Sequence, residues 1–517
     1  MGDDVRSGPG RGYDYVVVGA GTAGCVVAAR LSENPDVRVL LIEAGSREPL
    51  DAVAVPPVWP ALQGTAVDWA GASVVQSTTG TVIPWPRGRV LGGSSAINGM
   101  CFIRGHRSSY DAWAAAGATG WGFDDLLPYL RRSERTQGRD PAVRGVDGPL
   151  TVAPAPEPHP VAAAGLAAAV EAGHPVAADI NSGLEEGFGW CDLNIVDGRR
   201  QSAADAYLVP VLARPNLDVV TDALAHRVCV TGGRCTGVEY SVGTTMHTAA
   251  CSGEVVLAGG TVGSALLLLL SGIGPQAHLR EVGVDVELDL PGVGSNVHDH
   301  PRSTVVYSSP VPVPVGVNNH AELIGLARSP LAHGGPDLQF QVLEIPYFAP
   351  ALPPSLPVPG QAYSVAFGAM TPSSRGTIRL ADARPGTAPL LDPNYYGDPR
   401  DVEVMAAGLR IARAIGRADA LAPWRAEEVL PGPGVRDGDR DAVRRYLFGS
   451  LRTYSHQVGS CRMGTDDMAV VGTDLRVRGI GGLRVADASV MPSIVSANTN
   501  ATVYGIAERA ADLLLSR

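Results

Sequence analysis

The sequence predicts a mixed α/β fold on three observations, all of them before residue 44. Tyr13–Val18 is a β-branched run that stops at Gly19. The turn Gly19-Ala20-Gly21-Thr22-Ala23-Gly24 then opens an apolar stretch of helical spacing up to Leu31. Val37–Ile42 is a second apolar run and ends at Glu43. Strand, glycine-rich turn, helix and strand follow one another within about 30 residues, the order of a Rossmann-like unit.

Each part of that unit has a physical task. Gly19 makes the tight turn, Gly21 lets the backbone approach a pyrophosphate, and Gly24 lets the helix pack on the strand. The helix N-terminus attracts the phosphates. Glu43, 19 residues beyond Gly24, accepts hydrogen bonds from the adenosine ribose. Context matters here, because with 63 glycines in 517 residues a three-glycine pattern arises about once by chance. Gly272-Ile273-Gly274 is such a decoy: it follows a leucine run that reads as helix. Gly19–Gly24 follows a strand and opens a helix, and so indicates a bound dinucleotide.

Composition narrows the class. Hydrophobic residues are 45% and charged residues 18%, which excludes a disordered or fibrous chain. Net charge is −11, which argues against nucleic acid or an anionic membrane as main partner. Every basic residue is arginine, as a GC-rich bacterial genome would produce. The seven cysteines are scattered without a C-x-x-C, so neither a disulfide framework nor a zinc site is expected, and a reducing compartment is. Met1–Arg11 lacks the apolar core of a signal peptide, and Ala265–Leu270 is too short to span a bilayer. A cytoplasmic protein is the expectation.

Further along, Ser309–Tyr363 is rich in Pro and Val, has no helical period, and reads as strands and loops walling a pocket. Val402–Ile415 has helical spacing, Leu483–Ala488 reads as a strand, and Asn500–Leu515 as an amphipathic helix.

The remaining motifs form an ordered series. Pro86–Gly99 (PRGRVLGGSSAING) is a long loop of small residues, followed by Arg104-Gly105. Gly260-Thr261-Val262-Gly263-Ser264 leads on to Ser271–Gly274. Then come Gly292–Asn296 with Asp299-His300, Ser374-Arg375-Gly376, His456–Gly464 (HQVGSCRMG), Asp487-Ala488-Ser489 and Asn498-Thr499-Asn500. With Gly19–Gly24 in front, these resemble the signatures of the glucose–methanol–choline (GMC) oxidoreductase family, nearly end to end. Ala265 stands where a Pro or Ser is usual, a mild departure. Asn498, where many members carry a second histidine, resembles the choline dehydrogenase and choline oxidase branch.

The resemblance implies a Rossmann-like FAD-binding domain interleaved with an antiparallel-sheet substrate domain. The FAD-binding part is expected over 1–155, 198–308 and 446–517, and the substrate part over 156–197 and 309–445. It implies a cofactor set of Gly19, Gly21, Thr22, Ala23, Gly24, Glu43, Ala44, Arg89, Gly92, Gly93, Ser94, Asn98, Gly99, Val228, Asp487, Ala488, Asn498 and Thr499. Backbone around Asn98 and Gly99 would border the flavin N5 edge, and main chain near Val228 the adenine. The helix N-terminus at Thr499 would stabilise the anionic reduced flavin. Ile97 stands where some members link FAD through a histidine, so FAD is expected to be non-covalent.

His456 and Asn498 match the family's catalytic pair: a base for the hydroxyl proton and an amide that hydrogen-bonds the same oxygen, while hydride leaves for flavin N5. His298-Asp299-His300 is thin evidence for a metal, and none is expected. The expected reaction is oxidation of an alcohol to an aldehyde or ketone, with O2 or another electron acceptor. The alternatives are an FAD-dependent hydroxynitrile lyase, a light-driven decarboxylase, and a non-catalytic flavoprotein. Ser309–Tyr363 holds only Glu322, Arg328, Asp337 and Glu344 as charges, so the pocket is expected to be apolar and to prefer an uncharged alcohol over sugars or choline.

Overall fold

The computed structural model describes residues 12–349 and 356–516. The stretch Met1–Arg11, considered above for targeting, lies outside them. Tyr13–Val18 is a central strand of a seven-stranded sheet. It pairs in parallel with Val39–Ile42 on one side and with the end of Thr245–Leu257 on the other. Val16, Val17 and the whole of Val39–Ile42 are buried, which is why both strands read as unbroken apolar runs. Leu217–Val220 and Leu483–Val485 extend the parallel part. The first half of Thr245–Leu257 turns instead into an antiparallel meander with Arg234–Val242 and Ala223–Thr231.

Helix Thr22–Leu31 starts directly after Gly21 and packs against the C-terminal helix Asn500–Leu515. Their N-termini are joined where Thr22 Oγ1 donates to Asn500 Oδ1 at 2.7 Å. Further along, Arg30 grips the fully buried Glu508 through Nε at 2.9 Å and Nη2 at 2.8 Å, and Tyr207 donates to the same carboxylate. Helices Thr22–Leu31 and Asn500–Leu515 are thus sealed together.

The second sheet runs Glu428–Leu430, Pro301–Ser308, Ala362–Ala369, Leu338–Leu343, Leu323–Ala327, Gly187–Trp190, with Arg452–Thr453 on the free end of Pro301–Ser308. Its pairings are antiparallel. Helix Pro399–Arg417 covers it, begun by Asp398, whose side chain accepts from Arg400 N, and by Pro399 at the first helical position. Pro301–Ser308 was expected in the first part of the chain, and Arg452–Thr453 likewise. Both hydrogen-bond into the second sheet. Among the described residues no helix is long and apolar enough to cross a membrane. The seven cysteines form no disulfide.

Candidate active site

The two sheets border one cavity of about 860 Å³. Three helix N-termini open on it: Thr22–Leu31 after Gly21, Gly260–Leu270 after Gly259, and Asn500–Leu515 after Thr499. Each presents backbone N–H groups with no partner inside its helix, a setting that favours anionic groups.

The glycine turn is built for close approach. A Cβ on Gly24 would lie 1.8 Å from Gly19 O, so that residue lets the helix meet the strand. A Cβ on Gly21 would meet no protein atom nearer than Gly93 Cα at 3.9 Å and would stand in the cavity, which Gly21 lines. Gly93 is itself pressed on Gly21, since its Cβ would come within 2.6 Å of Gly21 Cα, and Gly92 donates its N–H to Ala20 O at 2.8 Å. The loops at Gly19–Gly24 and Gly92–Ser94 therefore stack as one wall.

Glu43 stands where the second strand ends. Its Oε2 accepts from Ala20 N and its Oε1 from Gly45 N, both at 2.8 Å, and lone pairs remain for a diol. Burial pushes its carboxyl up to about 6, although both N–H donors pull the other way. These walls fit a dinucleotide on the structure's own evidence: an open backbone where Gly21 has no side chain, three helix N-termini, and an acid at the strand end.

Of the expected cofactor residues, Gly19, Gly21, Thr22, Ala23, Glu43, Ala44, Gly93, Ser94, Asn98, Gly99, Asp487, Ala488, Asn498 and Thr499 line this cavity. Gly24 and Gly92 act from behind it, through the packing just described. Arg89 is exposed, lies over the Trp69 ring at 5.0 Å and donates from Nε to Ala44 O at 3.4 Å. Val228, expected at the adenine, lies further along its strand than the lining residues. It is buried in the meander opposite Val238, and its N–H donates to Ser271 Oγ. The cavity wall on that strand is Ala223, Leu224 and Ala225, because the strand meets Glu43 at its start, where Ala223 N donates to Glu43 O at 2.8 Å.

Asp487 keeps its carboxylate within the protein. Oδ1 accepts from Ser489 N, and Oδ2 from Gly260 N and Ser264 Oγ. The loop at Asn98 has anchors that sequence reasoning missed. Buried Arg200 donates from Nη1 to Ser95 O, Asn98 O and Asn98 Oδ1, and Asn319 Nδ2 donates to Gly99 O at 2.6 Å.

His456 and Asn498 line the same cavity. His456 is buried, its backbone N–H donates to Asp299 Oδ1 at 2.9 Å, and its Nδ1 lies 2.9 Å from His300 Nδ1. His300 Nε2 lies 3.0 Å from Met370 O, a carbonyl that can only accept. His300 therefore carries its proton on Nε2, and burial, holding it down to about 3, keeps it neutral. Its Nδ1 must then accept from His456 Nδ1–H. That leaves the lone pair of His456 on Nε2, which has no hydrogen-bond partner among the described residues. Burial, then His300 and Arg302, hold His456 well below the usual imidazole value, so it is an unprotonated base at neutral pH.

Asn498 is oriented from the second sheet. Gln339 Nε2 donates to Asn498 Oδ1 at 3.0 Å, which commits that oxygen and leaves the amide N–H groups to donate. The motif at 298–300 is structural in its acid: Asp299 receives His300 N, His456 N, Tyr395 OH and Thr453 Oγ1, the last a very short contact. Both ring nitrogens of buried His298 lack partners, and no three His, Cys, Asp or Glu side chains converge among the described residues.

A chain with this fold, dinucleotide wall and histidine–asparagine pair is an oxidoreductase of the FAD class. Residues 13–302 match the N-terminal GMC oxidoreductase model and 372–507 the C-terminal one. The chain belongs to the GMC oxidoreductases, which act on CH–OH donors. It is 39% identical to mitochondrial choline dehydrogenase of Homo sapiens, over 97% of this chain and 89% of that one. It is 37% identical to an alcohol dehydrogenase [acceptor] of Pseudomonas putida, over 98% and 96%. Among solved structures it is similar to pyridoxine 4-oxidase from Mesorbium loti, with a TM-score of 0.94 and 36% identity over 98% of this chain and 99% of that one.

Proposed function

We propose that the protein oxidises an alcohol to an aldehyde or ketone with non-covalently held FAD, His456 being the base and Asn498 its hydrogen-bonding partner. The observation that carries this reading is the contact series Met370 O, His300, His456, from which the tautomer of His456 follows. The chain Met370 O, His300, His456 leaves a neutral Nε2 facing the cavity, the form needed to take a hydroxyl proton. Asn498, turned by Gln339, can donate to the same substrate oxygen and stabilise the charge that develops there. Bound FAD would supply the hydride acceptor. The walls that would hold it are the Gly19–Gly24 turn, Glu43, the Gly92–Gly99 loop and the helix N-termini at Gly260 and Asn500. Ile97 lines the cavity, and His456 is the one histidine among the described lining residues, which supports non-covalent attachment.

The test is anaerobic mixing of the yellow holoenzyme with a panel of alcohols. Bleaching of the flavin band supports the reading, and a flavin reduced by dithionite but by no alcohol refutes it. Admitting air then separates an oxidase from a dehydrogenase. Acid precipitation should leave the yellow colour in the supernatant; a yellow pellet would mean a covalent link.

A further inference from the structure

The substrate end of the cavity holds an arginine with nothing to neutralise it. Arg302 comes from strand Pro301–Ser308 of the second sheet, is 5% exposed, and lines the cavity. Its Nη2 donates to Gln341 Oε1 at 2.7 Å, while its Nε has no partner. No ion pair among the described residues includes it. Buried arginines normally meet a carboxylate, because an unpaired charge away from water is costly. Here the guanidinium is clamped between two rings instead, 4.4 Å from the centre of Tyr347 and 4.6 Å from that of Tyr454. Arg452 adds a second positive charge, 4.2 Å from the centre of the Tyr347 ring.

Carboxylates are missing from this end. Among the described lining residues they are Glu43 and Asp487 alone, both occupied in the dinucleotide wall. The four charged residues of Ser309–Tyr363 do not help. Glu322 receives His159 N and Asn318, Asp337 receives Ser329, Glu344 pairs with His320, and Arg328 faces solvent beside Glu186. Residues 350–355, outside the described set, carry no charge in sequence. Ser309–Tyr363 gives the cavity uncharged side chains such as Asn319, Gln341 and Tyr347, and the charge comes from Arg302 just before it.

We propose that the substrate is an alcohol carrying a carboxylate, whose anionic end binds Arg302 while its carbinol meets His456 and Asn498. The inference rests on the alcohol-oxidising reading above and adds the charge of the substrate. The geometry suits one small molecule: the Tyr454 ring stacks on His456 at 5.2 Å and lies against Arg302 at 4.6 Å, so a single aryl ring spans base and anchor. Arg302 offers fixed donors to an anionic oxygen, which makes a charge-assisted hydrogen bond in a dry site. A quaternary ammonium would meet like charge there.

The experiment is stopped-flow reduction of the holoenzyme by 4-(hydroxymethyl)benzoate, benzyl alcohol and choline, with Arg302→Gln and Arg302→Lys alongside. The carboxylated alcohol should exceed benzyl alcohol in kred/Kd by roughly 10- to 150-fold, the worth of a hydrogen bond to a charged group. Arg302→Gln should abolish most of that ratio and Arg302→Lys should keep part of it. Should the variants fail to fold, benzoate alone must perturb the wild-type flavin spectrum and compete with benzyl alcohol. A wild-type preference for choline or benzyl alcohol overturns the proposal, and so does an equal loss on all three alcohols in Arg302→Gln, which would place the arginine's effect on flavin or base. Reduction by none of the three while other alcohols bleach the flavin overturns this proposal alone; a flavin bleached by dithionite but by no alcohol at all refutes the parent reading.

Discussion

His456 Nδ1 and His300 Nδ1 lie 2.9 Å apart with their rings at right angles. Two facing imidazole nitrogens can form a hydrogen bond only if one is protonated and the other is not. The Met370 carbonyl settles which, and so one backbone oxygen behind His300 sets the tautomer of a base two side chains away.

His456 should govern the pH profile of flavin reduction. Its pKa is depressed by burial, so the neutral base persists as pH falls through 6.5. The rate constant for reduction at saturating alcohol should stay flat through pH 6.5 and fall only well below it. A half-maximal point at or above 6.5 would remove His456 from the role.

Replacing His456 by Ala should slow reduction by about 10²–10⁴-fold with flavin content intact. Asn498→Ala should cost less, about 10- to 150-fold, the worth of one hydrogen bond to a charged oxygen. The order of the two losses is the measurement. Equal losses accompanied by loss of flavin would show that both residues only hold the fold.

His300 acts through His456 and is a positioning residue. His300→Ala should slow reduction about 2- to 12-fold, the worth of an ordinary hydrogen bond. His300→Gln, whose carbonyl can accept from His456 Nδ1–H, should recover part of the rate and keep the acidic limb low. Recovery of melting temperature without recovery of rate would contradict the tautomer argument.

Two glycines of one turn should fail differently. Gly24→Ala drives a Cβ into Gly19 O and should destabilise the apoprotein, seen as a drop in melting temperature. Gly21→Ala meets no protein atom and should leave apoprotein stability nearly unchanged while FAD binding is lost. Flavin retained by purified Gly21→Ala would argue against a pyrophosphate at that point.

Glu43→Gln turns an amide N–H toward one of the two backbone donors, Ala20 N or Gly45 N. Leaving one unsatisfied should weaken FAD binding to the apoprotein by about 5- to 150-fold, read by fluorescence titration. The sign with pH is also fixed. The folded carboxyl is raised from 4.5 to about 6, so its contribution to apoprotein stability is complete below 4.5 and is lost as pH rises through 6. The Gln variant should lack that decline.

Much of the first sheet and its glycine wall was legible in the sequence because the signals there are local. Tyr13–Val18 and Asn500–Leu515 have the bounds that their patterns indicate. The second sheet was legible as a region of strands and loops over Ser309–Tyr363 but not strand by strand. Leu323–Ala327, Leu338–Leu343 and Ala362–Ala369 are buried at every position, so they show no alternation, and Gln339 and Gln341 inside them look like breaks in the pattern rather than site residues. His456 and Asn498, the proposed base and its amide, stand in motifs visible in the sequence, and both line the cavity. Their partners, His300 and Gln339, reach them across long separations that no local spacing encodes.

The pairing of Tyr13–Val18 with Glu254–Leu257 bears on how the molecule comes to exist. Strand Tyr13–Val18 waits more than two hundred residues of synthesis for its second neighbour, and His456 and Asn498 are made later still. Such non-local closure makes for slow folding, since loop entropy is lost before the contacts form. A nascent chain released before Asn498 holds glycine loops but no finished pocket. Flavin supply during expression should therefore govern the yield of active protein, because a ligand that binds only the completed fold draws the late-closing population toward it.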